Sequence, residues 1–369
     1  MITILLFILI LAVLILVHEA GHFFAAKMFG IKVEEFGLGF PPKIFARKYG
    51  ETTYTLNAIP FGGFVKIMGE NGDIHLPPPE GGGVVDQSRS FAYAAKWKQA
   101  IVLVAGVTMN IIFGYLLISL GFMIGLPASS STSAFGHVQN TQLVITEVLP
   151  GSPADGAGLI SGDVIIGASA GQNVLHTITP DTFSNLVAKS QSPITISYEG
   201  GNQVPKTVII QPSDTVIAGR QAIGVSMDMI GILKLSLPQA LLQGVITTGN
   251  LLQGIVVGLW QFITGLVHPA TDLSQVSGPI GIAKVVGQAR SFGLVYVLSI
   301  VALISLNLAV INLIPFPALD GGRLLFVAVE AVTRKKIHPK VSTWVNSIGF
   351  GILIILMVVI TAHDIFNLF

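Results

Sequence analysis

From Ile2 to Val17 the chain carries no charge, and after a five-residue interruption the apolar run resumes at Phe23 and continues to Ala26. A stretch of this length can cross the hydrocarbon core of a bilayer, where the backbone must satisfy its own hydrogen bonds and is therefore helical. The interruption reads His18-Glu19-Ala20-Gly21-His22, an HExxH pattern. Residues four apart share a helix face, so His18 and His22 can offer two imidazoles to one metal ion. Glu19 lies beside them, where a carboxylate can accept a proton from water activated by such an ion. Ionisable groups at membrane depth are costly and usually functional. The competing reading is a chance match, with two helix histidines hydrogen-bonded to a neighbour. No positive flank precedes the run and no small-residue cleavage site follows it, so it reads as a retained span, not a signal peptide.

The remaining composition agrees with a membrane protein. Of 369 residues, 51% are hydrophobic and 11% charged, too apolar for an ordinary soluble domain. A formal charge of +1 gives no polyelectrolyte signal, so nucleic acid is not an expected partner. With no cysteine, zinc must be held by His, Asp or Glu. Residues 2–26, 99–126, 294–314 and 344–362 read as four transmembrane helices. A fifth uncharged stretch, 235–267, is long enough but carries Gln239, Gln243, Thr247, Thr248, Asn250, Gln253, Gln261 and Thr264. Basic residues between Lys27 and Lys98, and a second cluster of Arg323, Arg334, Lys335, Lys336 and Lys340, both fall on the cytoplasmic side only if 235–267 does not cross. That stretch is therefore expected to be an interfacial amphipathic helix. Both termini then face outward. His22 precedes Lys27 by roughly 7.5 Å of helix rise, a little below the cytoplasmic surface.

A catalytic zinc usually has three protein ligands and an open position. The candidate for the third is Asp320, in Asn312-Leu313-Ile314-Pro315-Phe316-Pro317-Ala318-Leu319-Asp320-Gly321-Gly322. Pro315 and Pro317 end the third span, and Gly321-Gly322 permits a sharp turn beside the carboxylate. The span runs in the same direction as the first, which brings Asp320 to the same membrane face. A plain turn in which Asp320 caps the next helix is the alternative.

Together these elements resemble the site-2 protease family of intramembrane zinc metalloproteases, in its bacterial, PDZ-containing branch of the regulator-of-sigma-E-protease type. The resemblance implies one Zn2+ per chain held by His18, His22 and Asp320, with Glu19 catalytic. It also implies that Asn312, eight residues before the Asp, engages the substrate backbone; a helix–helix hydrogen bond is its alternative role. Ala105-Gly106-Val107-Thr108-Met109-Asn110 is similar to the family's AGPxxN, with Val107 in place of the proline. Ser277-Gly278-Pro279-Ile280-Gly281-Ile282 also looks like a family segment.

After the first helix, residues 51–56 and 61–68 read as strands around Asn57-Ala58-Ile59-Pro60. In relatives this region is a membrane-associated β-hairpin that presents an edge to substrate; a short amphipathic sheet resting on the membrane is the alternative. Residues 69–90, with Pro77-Pro78-Pro79 and Gly81-Gly82-Gly83, read as a flexible linker. From 129 to 227 hydropathy falls, and strands are expected at 143–148, 163–168, 194–198 and 207–211. Pro150-Gly151-Ser152-Pro153-Ala154-Asp155-Gly156-Ala157-Gly158-Leu159-Ile160-Ser161-Gly162-Asp163 closely resembles the PDZ signature of bacterial membrane proteases. Peptide capture at a sheet edge and steric exclusion of bulky substrates both stay open for it. His137 and His176 read as ordinary surface residues.

The expected architecture is a multi-span α-helical membrane protein with an inserted PDZ β-domain and a β-hairpin loop. Its expected parts are 1–128 (two spans, HExxH and hairpin), 129–228 (PDZ), 229–293 (interfacial helix and linker) and 294–369 (two spans with the LDG motif). The expected activity is zinc-dependent cleavage of transmembrane segments in single-pass proteins, such as anti-sigma factors or signal-peptide remnants. The expected setting is a bacterial inner membrane, with lipid bilayer, substrate and a peptide ligand of the PDZ domain as partners. A membrane metal transporter and a non-catalytic PDZ scaffold are the rival classes.

Overall fold

The computed structural model describes residues 2–70, 87–130, 136, 138–200, 204–217, 219–265 and 278–366. Most of the expected linker, and also His137 and Ser277, lie outside these. The described chain forms two compact units, residues 1–118 with 245–369, and residues 119–244.

The first unit opens with helix α1 (Ile2–Met28), which is apolar on every face up to Val17, before the His18–His22 interruption, as suits a membrane helix. Strands β1 (Val33–Tyr49) and β2 (Thr52–Ile67) follow as an antiparallel pair turning at Gly50-Glu51. The segments expected at 51–56 and 61–68 fall in β2, and the two lie on either side of β1: Phe36 pairs with Tyr54 and also with Val65. Asn57 sits between these halves and donates its side-chain amide to the Gly39 carbonyl, 2.9 Å away. Glu51 ties the hairpin tip to α1 and to the segment before the next helix. It accepts from Lys27 Nζ at 2.6 Å and from Arg89 Nη2 at 2.9 Å. The Lys27 ammonium, followed by the Arg89 guanidinium, holds the Glu51 carboxyl below its usual range.

Helix α2 (Lys96–Ile124) packs directly on α1. A Cβ placed on Gly21 would meet the Ala105 carbonyl oxygen at 2.3 Å, so the two backbones touch where the first helix carries its histidines. Val107 sits in this helix without interrupting it, as expected of a residue that keeps the N–H a proline lacks.

The second unit is mostly sheet. Its strands are β3 (Leu126–Ser129), β4 (Gln139–Val148), β5 (Val164–Ala170), β6 (Asn173–Val174), β7 (Ile194–Glu199), β8 (Pro205–Ile210), β9 (Ser213–Ile217), β10 (Arg220–Ala222) and β11 (Val225–Leu233). The main sheet runs β3-β11-β4-β5-β7-β8, with β6 on β5, and β9 and β10 form a separate pair. Helices α3 (Pro153–Gly156) and α4 (Pro180–Lys189) accompany it, and Phe183 of α4 is wholly buried against Leu143, Ile145, Ile165, Ile194 and Ile196. The strands expected at 143–148 and 194–198 contribute Leu143, Ile145, Ile194 and Ile196 to this inward face. Ser152 caps α3, its hydroxyl accepting from the Asp155 N–H, with proline at the first helical position.

Helices α5 (Leu237–Gly265), α6 (Pro279–Phe292), α7 (Leu294–Leu313), α8 (Asp320–Thr333) and α9 (Pro339–Phe366) complete the chain. Among the described residues, five helices are long and apolar enough to cross a membrane, namely α1, α2, α5, α7 and α9. Thus α5 meets the same test of length and composition as the four segments read as spans. Its Gln and Thr residues and the charge of the flanking loops distinguished it in the sequence. Part of the expected linker is helical: α6 packs Val286 against Phe7, Ile10 and Leu14 of α1 and Val301 of α7. Asp364 at the end of α9 accepts from the Gly278 and Gly281 N–H groups and so caps α6.

The Gly21–Ala105 approach leaves no room for a larger side chain. Gly21→Val should lower stability by about 1–3 kcal/mol through overpacking, read as a lower unfolding temperature of the purified protein in detergent. An unchanged transition would show that the helices can separate freely at this point.

Candidate metal centre

His18 and His22 lie one turn apart on α1, and both are buried. Their rings stand edge to face at 85°, with centroids 4.9 Å apart. His22 Nδ1 lies 2.8 Å from the Val102 carbonyl oxygen. A carbonyl only accepts, so this contact puts the ring proton on Nδ1 and leaves Nε2 bare. That bare nitrogen lies 3.3 Å from His18 Nε2 and 3.2 Å from Asp320 Oδ2. His18 Nε2 is 2.9 Å from the same carboxylate oxygen.

Asp320 arrives from the far end of the sequence by a turn that the chain composition enforces. The α7 helix stops at Leu313 as Pro315 approaches, and Ala318 takes φ +76°, a left-handed conformation that L-residues rarely adopt. Asn346 on α9 accepts the Ala318 N–H at 3.2 Å and holds that conformation. A Cβ on Gly321 would lie 2.2 Å from the Ile314 carbonyl oxygen, so only glycine lets the chain fold back this tightly. Leu319 occupies the cap position and Asp320 is the first residue of α8, so its carboxylate faces the imidazoles and is not spent on capping.

The three donor atoms fit zinc. Among the described residues this is the one cluster of three or more His, Asp or Glu whose ligand atoms lie within 4.8 Å of one another. Tetrahedral zinc with bonds near 2.0–2.1 Å separates neighbouring ligand atoms by roughly 3.3 Å. The donor triangle, with sides of 2.9, 3.2 and 3.3 Å, is close to that. Two nitrogens and one oxygen suit zinc better than magnesium or calcium, which favour sets built from oxygen. Space for the rings is reserved by Gly106 on α2, where a Cβ would lie 2.4 Å from His22 Nε2 and 2.9 Å from His18 Cε1.

Of the five residues singled out in the sequence, His18, His22 and Asp320 converge. Glu19 is half-buried beside them against Gly63 of β2, where a Cβ would meet Glu19 Cγ at 3.6 Å. Asn312 lies half-buried in the last turn of α7 and does not join the cluster. Sequence reasoning gave no role to α2 at this centre. That helix supplies the Val102 carbonyl, the space at Gly106, and Asn110, whose Nδ2 lies 3.1 Å from His18 Nδ1. The available signals were Asn110 in an apolar span and its place in Ala105–Asn110, the segment similar to the family's AGPxxN.

The chain matches the model of peptidase family M50 over residues 6–356. It is 37% identical over 352 residues, covering 95% of each chain, to a Clostridium perfringens protein provisionally named a zinc metalloprotease. It is 29% identical over 435 aligned positions to zinc metalloprotease RasP of Geobacillus kaustophilus, covering 98% of this chain and 97% of the relative. With RasP of Bacillus licheniformis the identity is 28%, covering 100% of this chain and 99% of the relative.

If Asp320 completes the ligand set, Asp320→Ala should cut bound zinc from about one equivalent per chain to about a tenth after dialysis. Elemental analysis of the folded variant checks this, and full retention of zinc would remove Asp320 from the set.

Proposed function

Because the chain belongs to peptidase family M50, the site-2 protease family of zinc metalloproteases, we propose that it hydrolyses peptide bonds inside the transmembrane segments of single-pass proteins. The observation that carries this reading is the meeting of His18, His22 and Asp320, drawn from helices 302 residues apart in sequence, with Glu19 alongside. His18, His22 and Asp320 hold the zinc. When bound, zinc supplies Lewis acidity toward water and the scissile carbonyl. Glu19 takes the proton from the attacking water and delivers it to the amide nitrogen as the C–N bond breaks.

A transmembrane helix hides its backbone in its own hydrogen bonds, so it must be unwound before cleavage. The hairpin suits that task. Residues 63–65 pair with 36–38 along one side only among the described strands, and Gly63 lies against Ile15 and Glu19 of α1. An extended substrate added to that edge would run past the general base. Asn312 engages the substrate backbone in this reading. The second unit acts as a PDZ domain that captures peptide or excludes bulky substrates. The substrates are of the anti-sigma-factor or signal-peptide-remnant type. The chain resides in a bacterial inner membrane with α1, α2, α7 and α9 crossing it and α5 at the interface. Both termini and the PDZ domain are extracytoplasmic, and the metal centre lies near the cytoplasmic face.

Glu19→Gln should reduce cleavage of a tagged single-span substrate in detergent by about 10²–10⁴-fold while zinc content stays at the unsubstituted level. Undiminished cleavage by the folded variant would rule out the assigned base.

A further inference from the structure

We propose that Asn110 is a positioning residue for the metal centre: its side-chain oxygen accepts the Nδ1 proton of His18 and fixes the tautomer in which Nε2 is free to bind zinc. The inference rests on the reading of His18 as a zinc ligand.

A neutral imidazole carries one proton, and a nitrogen that binds a metal cannot hold it. His18 turns Nε2 toward Asp320 and His22, so in the zinc-bound protein its proton belongs on Nδ1. That proton needs an acceptor, as Nδ1 of His22 finds one in the Val102 carbonyl. Among the described residues, the one group hydrogen-bonded to His18 Nδ1 is the Asn110 side-chain amide, 3.1 Å away. With the amide nitrogen toward the ring, Nδ1 is bare and the proton sits on Nε2, facing the Asp320 carboxylate at 2.9 Å. With the oxygen toward the ring, the proton moves to Nδ1 and Nε2 is released. The two ends of an amide are nearly equal in size, so a half-turn about χ2 exchanges them in place.

No other hydrogen bond among the described residues opposes that half-turn. Asn110 Oδ1 is buried with no hydrogen-bond partner among them, so the contact with His18 alone sets the amide's orientation. The backbone around it is fixed independently: Ser305 on α7, itself wholly buried, donates its hydroxyl to the Asn110 carbonyl oxygen at 2.8 Å. A helix–helix brace is therefore already provided by Ser305 and does not need the Asn110 side chain. A wholly buried amide with one end unpartnered is costly to keep, unless the end it offers changes with the state of the histidine.

The test compares Asn110→Asp, which keeps acceptors at this position and loses the donor, with Asn110→Leu, which loses both. Zinc affinity of the full chain in detergent is measured by competition with a chromophoric chelator, and cobalt replaces zinc for visible spectra. Asn110→Leu is expected to bind zinc about 10–100-fold more weakly and to shift the cobalt bands, while Asn110→Asp stays within about threefold of the parent. Should leucine disturb folding, Asn110→Ala is read the same way. Parental zinc affinity in the folded leucine or alanine variant overturns the proposal, and so does equal weakening in the aspartate variant. His18→Ala, measured in parallel, separates the two levels. If it too keeps parental affinity, the zinc-ligand reading itself fails; if it loses zinc while Asn110→Leu does not, only the role of Asn110 falls.

Discussion

Two imidazoles and the Asp320 carboxylate meet inside a bundle rich in apolar side chains, and none of the three could be left there alone. Desolvating an ionisable group costs several kcal/mol, recovered only through partners placed at hydrogen-bonding distance or through a bound ion. His18 and His22 recover it from Asp320, from the Val102 carbonyl and from the Asn110 amide. Each of these partners comes from another part of the chain, so the helices can pack in only the few arrangements that bring them together.

Much of the surrounding structure follows from that demand. The α1 and α2 backbones touch because Gly21 and Gly106 carry no side chain, and this contact brings Val102 and Asn110 within reach of the imidazoles. The far carboxylate depends on a tight turn held at Ala318 by Asn346, and Gly349 packs on Pro317 just beyond it. The last helix thus shapes the centre without supplying a ligand to it. The hairpin is anchored next to the same face through Lys27, Glu51 and Arg89, which keeps its Gly63 end beside Glu19. In the proposed reading, the cleaving group and a backbone-pairing edge must lie side by side, and these contacts hold the hairpin next to Glu19.

The chain belongs to peptidase family M50, and its relatives match over nearly their whole length. Long-range features were legible where a local signal marked them. The apolar runs at 2–26, 99–126, 294–314 and 344–362 fall largely within α1, α2, α7 and α9, and the strands expected at 143–148, 163–168, 194–198 and 207–211 lie within a few residues of β4, β5, β7 and β8. The helix α6 escaped notice because it is short and carries Lys284, Gln288 and Arg290 among apolar residues, with neither a membrane-length run nor a clean stripe. Placement of 235–267 rested on loop charge, because the stretch is as long as the spans and uncharged, though richer in Gln and Thr than they are.

What the sequence by itself determined was the kind of chemistry available. HExxH in an apolar helix and a lone acid after a proline-broken span define a donor set, because ligand type and helical periodicity are local properties. Only the tertiary structure decided which atoms meet. The 2.8 Å contact that fixes the His22 tautomer, the amide beside His18 and the left-handed Ala318 that aims Asp320 all depend on contacts between distant segments. Their sequence signals are a backbone carbonyl, one asparagine and one alanine, and none of these names its partner until packing brings distant segments together.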